Sequence, residues 1–297
     1  MIADIPVRKA IVENLQMSSV LEGEIINLTT MNDYSIIKYP RTPHIEGSRL
    51  QPGDEDLSQV SFSEISGRHL VIEEKIDGAN TALSFNPKGE LLLQSRGHYL
   101  TGGYRERHYN LFKQWATIQR DTLWDVLGCR YIMYGEWLYA KHTIYYDALP
   151  HYFMEFDILD RETDRFLDTP SRQKITSKLP VCSAAVLAEG TFHEHAEMLK
   201  YLGTSNYITP EHIAHLCAAA EKESLDTDRI CRETDASSTM EGLYIKVEED
   251  GQVTQRVKFV RASFLQTVEE SKTHWLNRPI VPNGLNRPVG ELFLPNL

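Results

Sequence analysis

A short stretch of the chain, residues 73–80, combines a lysine with acidic, glycine and amide residues. Lys75 follows an apolar run, and Asp77, Gly78 and Asn80 come soon after it. A lysine becomes a nucleophile only when its ammonium loses a proton, which requires a lowered pKa or a neighbouring cation. The K-x-D-G pattern is short, and a salt-bridged strand end is its alternative interpretation. Other parts of the chain must therefore decide whether Lys75 is a nucleophile.

Five further segments support a chemical role for Lys75 because they follow it in a fixed order. They are Ser95-Arg96-Gly97, Tyr134-Gly135-Glu136-Trp137, Phe153-Met154-Glu155-Phe156-Asp157-Ile158, Glu241-Gly242-Leu243-Tyr244-Ile245-Lys246 and Arg256-Val257-Lys258-Phe259. With the K-x-D-G-x-N segment, this series resembles the covalent nucleotidyltransferase superfamily of RNA ligases, DNA ligases and mRNA capping enzymes. The resemblance extends over residues 70–261.

The resemblance implies a covalent reaction with ATP. Lys75 would attack the α-phosphate, release pyrophosphate and leave a lysyl–AMP intermediate. Asp77, Glu136 and Glu241 would hold Mg²⁺, for which Mn²⁺ can substitute. Because magnesium keeps several of its waters, these carboxylates would act through water. An ordinary charge at a strand edge is the alternative for each acid.

Basic residues of the later segments would contact phosphate. The resemblance implies that Lys246 and Lys258 stabilise the charge that develops on the α-phosphate, where fixed cations have their largest effect. It also implies that Arg96 binds a phosphate of the nucleotide or of an RNA 5′ end. Arg256 stands where many relatives have a lysine, and Arg261 follows shortly after. The sequence leaves open which of Arg256, Lys258 and Arg261 contacts the nucleotide.

The nucleoside would be held by polar and aromatic groups. Asn80 and Glu136 have the polar atoms to fix the ribose hydroxyls. The resemblance implies that Phe156 and Tyr244 sandwich the adenine and that Glu74 contacts its amino group. Packing in the hydrophobic core is the alternative for both aromatic residues.

The elements that must position these residues are mainly strands. Residues 69–74 are rich in strand formers, and residues 81–85 and 90–94 flank an Asn-Pro-Lys-Gly turn typical of a hairpin. Apolar residues at helical spacing predict a helix over 105–127, whereas the polar stretch 224–239 is expected to be a loop. The predicted class is α+β, an ATP-grasp-like nucleotidyltransferase fold of antiparallel sheets flanked by helices.

Three parts of the chain are expected. Residues 1–69 form a short N-terminal accessory extension, residues 70–261 the adenylyltransferase core and residues 262–297 a small C-terminal segment. The N-terminal part contains a loop rich in Pro and Gly at 39–54, whose basic residues could contact phosphate or lie on a plain surface loop. We expect this part to shape the RNA site. The residues after Arg261 are too few for the oligonucleotide-binding barrel of DNA ligases and capping enzymes.

Composition excludes several other classes of protein. No apolar run is long enough for a transmembrane helix, and the N-terminus lacks a signal-peptide pattern. The four cysteines contain no C-x-x-C pair, which argues against a zinc ribbon and fits a cytoplasmic protein. The net charge of −11 argues against nucleic acid binding, but the acidic excess lies in the middle of the chain and a basic surplus follows residue 251. RNA phosphates are therefore expected at the basic regions.

These observations predict an ATP-dependent RNA ligase, similar to the phage RNA ligase 2 branch, that seals 3′-OH and 5′-phosphate RNA ends. Asn80 favours this branch because DNA ligases usually have arginine there. The alternatives are a DNA nick ligase of the same superfamily and a non-catalytic relative that binds nucleotide or RNA. RNA with these ends is the expected partner, and a kinase or phosphatase that heals the ends is a candidate partner by family analogy alone. The sequence does not indicate an oligomeric state.

Overall fold

Two sheets of mainly antiparallel strands form the frame of the molecule. The computed structural model describes residues 35–50, 54, 58–271 and 278–294. The strands in this part of the chain are β1 His69–Lys75, β2 Ala79–Phe85, β3 Leu91–Ser95, β4 Tyr131–Trp137, β5 Phe153–Asp160, β6 Arg165–Phe166, β7 Cys182–Ser183, β8 Val186–Thr191, β9 Gly242–Glu249 and β10 Gln252–Val260.

Helices lie between and beside the strands. The α-helices are α1 Asn110–Ile118, α2 Arg120–Leu127, α3 Thr169–Thr176, α4 His195–Leu199, α5 His212–Lys222, α6 Thr227–Arg232 and α7 Ala262–Ser271. Short 3₁₀ helices cover Phe62–Glu64, Tyr104–Tyr109 and Val289–Phe293. The predicted α+β class is therefore confirmed, and the elements belong to one compact unit that runs from Lys38 to Leu297.

The order of the strands separates them into a four-stranded and a six-stranded sheet. The first, which we call sheet A, has the order β10-β9-β1-β8, and every neighbouring pair in it is antiparallel. The second, sheet B, has the order β3-β2-β4-β5-β6, and β7 joins it as a parallel neighbour of β5. Sheet A thus brings the strand that ends in Lys75 beside the two strands near the end of the chain.

Alternation along β9 gives sheet A one apolar and one polar face. Leu243, Ile245 and Val247 are fully buried in a hydrophobic cluster with residues of β1 and β10. The intervening residues, among them Tyr244 and Lys246, point to the opposite face because side chains alternate along a strand. The polar face of sheet A is therefore the one that can carry chemistry.

Most of the predicted local elements are confirmed. The hairpin is present, and Gly89 has the positive φ of 75° that its turn requires. The helix predicted over 105–127 is divided, because the backbone at Gln119 leaves the helical conformation between α1 and α2. The loop predicted over 224–239 is wrong in part, since α6 begins there. Asp226 caps this helix by accepting a hydrogen bond from the Arg229 amide, and Ile230 is buried beneath it.

The described part of the N-terminal 69 residues packs against sheet A. Ile45, Val60, Phe62 and Ile65 are buried in the same cluster as the apolar face of that sheet. Within the loop at 39–54, Tyr39, His44 and Ile45 are buried, whereas the basic residues Arg41 and Arg49 are exposed. The loop is therefore a plain surface loop only in part. Residues 1–34 lie outside the described residues, and the division at 69/70 and 261/262 stays a prediction. No helix in the described ranges is long and apolar enough to cross a membrane.

A tight approach of two strands generates a stability prediction at Gly242. A Cβ atom on this residue would lie 1.8 Å from the carbonyl oxygen of Phe259 on the neighbouring strand. We expect Gly242→Ala to lower the free energy of unfolding by ~2 kcal/mol or more, because the backbone itself must move. Urea unfolding measures this difference.

The matched control is Gly203→Ala, because a Cβ at Gly203 meets no atom within 4 Å. Its free energy of unfolding should change by less than about 0.5 kcal/mol. Equal unfolding midpoints for the two variants would contradict the packing argument.

Candidate active site

A cleft of about 1270 Å³ is lined by residues of both sheets. Its walls include the end of β1, the start of β2, the middle of β4 and β5, and the polar face of sheet A. Ten predicted site residues line it, namely Glu74, Lys75, Asp77, Asn80, Arg96, Glu136, Phe156, Glu241, Tyr244 and Lys258. Two others, Lys246 and Arg256, are not among the lining residues. The structure thus brings ten of the twelve predicted site residues to one cleft.

Lys75 and Glu241 form an ion pair at the centre of the cleft. The Lys75 Nζ lies 2.8 Å from Glu241 Oε1, and the Glu241 side chain is almost fully buried. Burial alone would lower the pKa of Lys75, but Glu241, Glu136 and Asp77 together raise it. Burial likewise raises the pKa of Glu241, against the opposing effect of Lys75. In this state Lys75 is therefore a paired ammonium rather than a free amine.

Glu136 is the carboxylate in the cleft with an environment least suited to a negative charge. It is half-buried, and no described residue donates a hydrogen bond to it. Burial, together with the charges of Glu241 and Asp77, raises its pKa to about 8, although Lys75 and Arg96 act to lower it. A carboxylate in this environment fits a role in binding a cation.

Asp77 has a different environment from the other two acids. Its Oδ2 accepts hydrogen bonds from the amides of Thr143 and Ile144, at 2.7 and 2.9 Å. Within the described ranges, no group of three or more His, Cys, Asp or Glu side chains is arranged to hold a metal ion directly. Binding of a metal through water by the three predicted acids stays a prediction, and Asp77 also has a structural role in fixing the loop at 143–144.

The register of sheet A determines which basic residues reach Lys75. Lys75 pairs with Gly242, and the next row that shares its face contains Tyr244 paired with Lys258. Lys246 and Arg256 are paired in the row beyond that one. At about 3.3 Å per residue, this row lies roughly 13 Å from Lys75 along the strands. Of these basic residues, only Lys258 lines the cleft.

Lys246 and Arg256 are instead bound to buried acids. Lys246 Nζ lies 2.9 Å from Glu73 Oε2 and 3.2 Å from Asp157 Oδ1, and the lysine is fully buried. Arg256 Nε donates to Asp157 Oδ2 at 3.0 Å, and its guanidinium lies 3.8 Å from the ring centre of Phe166. The structure therefore places both basic residues beneath the cleft.

Arg261, the third basic residue left open by the sequence, also points away from the cleft. Its guanidinium is bound to Asp235 and donates to the carbonyl oxygens of Met240 and Thr239 at 2.7 and 3.1 Å. Because Met240 directly precedes Glu241, these contacts support the backbone that carries the partner of Lys75. Which phosphate, if any, Arg261 contacts therefore stays a prediction, and in this state its guanidinium is bound to protein groups.

The two predicted base-binding aromatic residues face one another in the cleft. The ring centres of Phe156 and Tyr244 are 6.0 Å apart with an interplanar angle of 53°. Tyr39 packs beside them, 5.1 Å from Phe156 in an edge-to-face arrangement, and its hydroxyl bonds to Asp157 and to the Tyr244 hydroxyl. The aromatic wall thus has three members, and the sequence identified two.

The polar residues predicted to contact the nucleotide lie at separate places in the cleft. Asn80 pairs with Glu136 across β2 and β4 at the cleft wall, and Arg96 is exposed at its rim. Glu74 is held by a neighbouring loop. Its carboxylate accepts hydrogen bonds from the Ser205 hydroxyl and, at 2.9 and 2.8 Å, from the amide and side chain of Asn206. Both of its oxygens are therefore already engaged in this state.

Sequence reasoning missed several buried polar residues that hold the site. Arg172 on α3 bonds to Glu73 of sheet A and, at 3.4 Å, to Glu155 of sheet B. Glu73 and Asp157 are the two buried acids that form ion pairs with Lys246. The available signal was an acidic residue inside an otherwise apolar strand, because such a residue requires a buried partner. The identity of the partner was not readable from local sequence.

Comparison with known proteins gives one matching family model and a set of solved structures that the chain resembles. A family model described as RNA ligase matches residues 68–260. The chain is similar in structure to an apo mutant of Naegleria gruberi RNA ligase, with a TM-score of 0.50 and 14% identity over 79% of this chain and 58% of that chain. A mutant of the same ligase with ATP and Mn gives a TM-score of 0.48 and 16% identity over 78% of this chain and 58% of that chain.

The chain spans 58% of the length of both ligase chains. No match was found among curated protein sequences. At this identity, the structural likeness supports the fold alone.

The environment of Glu136 generates a prediction about stability and pH. An unfolded glutamate loses its proton above about pH 4.3, whereas Glu136 keeps it up to about pH 8. Between these values the unfolded chain binds fewer protons, so Glu136 makes the fold less stable as pH rises. We therefore expect Glu136→Gln to become progressively more stable than the wild type across this range, without divalent metal.

Urea unfolding at a series of pH values with a chelator measures this difference. Glu249→Gln is the matched control, because Glu249 is an exposed glutamate paired with Arg68. A stability difference for Glu136→Gln that is the same at both ends of the pH range would contradict the assigned environment.

Proposed function

This chain belongs to the RNA ligase family, and we propose that it is an ATP-dependent enzyme that joins 3′-OH and 5′-phosphate ends of RNA. The observation that carries the proposal is the pair of Lys75 and Glu241 in a cleft that Lys258 also lines. A nucleophilic lysine, an acid able to take its proton and a cation for phosphate are the groups that nucleotidyl transfer needs.

The first step forms a bond between the Lys75 nitrogen and the α-phosphorus of ATP. The bond from that phosphorus to the bridging oxygen of the β-phosphate breaks, and pyrophosphate leaves. Lys75 must first lose a proton, and Glu241 is positioned to receive it because the two groups are already 2.8 Å apart. Burial raises the pKa of Glu241, which favours its protonated form.

Two further transfers complete the proposed reaction. A 5′-phosphate oxygen of RNA attacks the phosphorus of lysyl–AMP, which frees Lys75 and leaves an adenylylated RNA end. The 3′-OH of the second end then attacks the 5′-phosphate, forming the phosphodiester and releasing AMP. Arg96, exposed at the rim of the cleft, is our candidate for binding the incoming RNA phosphate.

Glu136 fits a divalent cation better than Asp77 does. Glu136 receives no hydrogen bond from the described residues, whereas two backbone amides occupy one oxygen of Asp77. The Naegleria ligase structures with ATP or AMP also contain Mn. We propose that Glu136 would hold Mg²⁺ or Mn²⁺ through water and that the bound cation would supply charge to offset that of the phosphates. Lys258, on sheet A, adds a fixed cation to the cleft lining.

The nucleoside is proposed to lie against the aromatic wall. Phe156 and Tyr244 supply ring faces for the adenine, and Asn80 supplies an amide for the ribose. Because Lys246 and Arg256 are bound to buried acids, we assign them the task of holding Asp157 and the adjacent Phe156. Glu74 would contact the base only after leaving Ser205 and Asn206.

The test is incubation with α-labelled ATP and Mg²⁺ or Mn²⁺. We expect a covalent adduct with the wild-type chain that survives denaturation in SDS and is cleaved by acid, as a phosphorus–nitrogen bond is, and none with Lys75→Ala. Lys88→Ala is the matched control, because Lys88 is exposed at the turn of the hairpin, and it should form the adduct normally. Failure of the wild type to form an adduct under any metal or pH condition would exclude the proposed activity.

The polynucleotide substrate is tested by competition. We expect labelled RNA with 3′-OH and 5′-phosphate ends to be joined at least ~10-fold faster than nicked duplex DNA, because the family is that of RNA ligases. Measuring both substrates in one mixture gives the ratio of kcat/KM directly. Faster sealing of nicked DNA would favour the DNA ligase alternative, and an adduct without any joining would leave only nucleotide transfer.

A further inference from the structure

We propose that Asp54, which precedes the residues matched by the family, is the positioning residue for Lys258. The inference rests on the proposed function, in which Lys258 acts on the α-phosphate. It adds a part of the chain outside residues 68–260 to the machinery of the nucleotide site.

Residues 43–49 are bound along the strand that carries Lys258. The amide of Ile45 donates to the Lys258 carbonyl at 3.0 Å, and the Lys258 amide donates to the Pro43 carbonyl at 2.9 Å. The amide of Arg49 donates to the Val260 carbonyl at 3.2 Å. The segment therefore forms a parallel addition to the edge of sheet A beside Lys258.

Three basic side chains converge on the Asp54 carboxylate. Lys258 Nζ donates to Oδ2, Arg41 donates to Oδ1 at 2.9 Å, and His44 Nε2 lies 3.2 Å from Oδ2. Burial would raise the pKa of Asp54, but the hydrogen bonds from Lys258 and Arg41 lower it to about 2. The carboxylate is thus a permanent counter-ion for Lys258.

His44 contacts the same carboxylate oxygen of Asp54 as Lys258 does. Its ring is fully buried, and its Nδ1 lies 2.7 Å from the Ser48 hydroxyl, which accepts a hydrogen bond from the Val260 amide at 2.9 Å. The set resembles a Ser-His-Asp triad, but the serine oxygen is committed to the backbone of β10. These contacts therefore hold Asp54 rigidly against the strand of Lys258.

Lys258 needs this counter-ion because of the charges that face it. Burial lowers its pKa, Lys75 lowers it further, and Asp54 and Glu241 raise it. Arg41 and His44 approach the same carboxylate from the added segment. Removing one partner of a buried ion pair leaves the other charge uncompensated. Without the Asp54 carboxylate, Lys258 would therefore lose its charge or its position beside the reacting phosphate.

The experiment measures the rate of adduct formation as a function of ATP concentration. We expect Asp54→Asn to lower the maximal rate by ~10-fold or more, because a cation that acts on the developing charge is displaced. The ATP concentration at half-maximal rate should change by less than about threefold. Asp54→Glu keeps the carboxylate and should give an intermediate rate.

Glu46→Gln is the matched control in the same segment. Glu46 accepts a hydrogen bond from Ser61 and lies 3.9 Å from His195, away from Lys258, so its rate should equal that of the wild type. Melting temperatures of all variants separate lost folding from lost chemistry. Wild-type rates in Asp54→Asn, or an equal loss in Glu46→Gln, would overturn the inference.

A double-mutant cycle distinguishes positioning from general support of the fold. If Asp54 acts through Lys258, adding Asp54→Asn to Lys258→Ala should slow the reaction by no more than about twofold. A multiplicative loss in the double variant would overturn the role. Absence of the adduct in the wild type would contradict the proposed function, whereas an adduct formed equally well by Asp54→Asn contradicts only the role of Asp54.

Discussion

The arrangement of the two sheets depends on buried ion pairs that join them. Lys246 of sheet A binds Asp157 of sheet B, and Arg172 binds Glu73 of sheet A together with Glu155 of sheet B. A buried charge without a partner costs several kcal/mol, so each of these groups requires the others in place. Because Glu73 lies two residues before Lys75, and Asp157 follows Phe156, this network sets the width and the contents of the cleft.

Much of the site could be predicted because its residues lie in short local patterns. Lys75, Asn80, Glu136 and Glu241 each stand on or next to a predicted strand, and the structure brings all four to one cleft. The antiparallel sheets and the hairpin could also be predicted, because strand formers and turn residues act locally. The resemblance added the order of the segments, which periodicity alone could not supply.

The remainder depends on contacts between residues far apart in the chain. Lys246 and Lys258 share a face of sheet A, but the register places them at different depths, and only pairing with β1 fixes that register. The position of Arg256 follows from Asp157, almost a hundred residues earlier. The helix at Thr227–Arg232 was missed because the capping by Asp226 outweighs a polar composition. Tertiary partners decided each of these outcomes.

The packing of Ile45, Val60, Phe62 and Ile65 has a consequence for where this protein can be truncated. The family match begins at residue 68, yet Ile45, Val60, Phe62 and Ile65 cover the apolar face of sheet A. A fragment trimmed to the matched residues would expose Leu70, Ile72 and their neighbours to water and would have an uncovered sheet edge. The limits of sequence similarity and the limits of a self-sufficient hydrophobic core are therefore different boundaries in this chain.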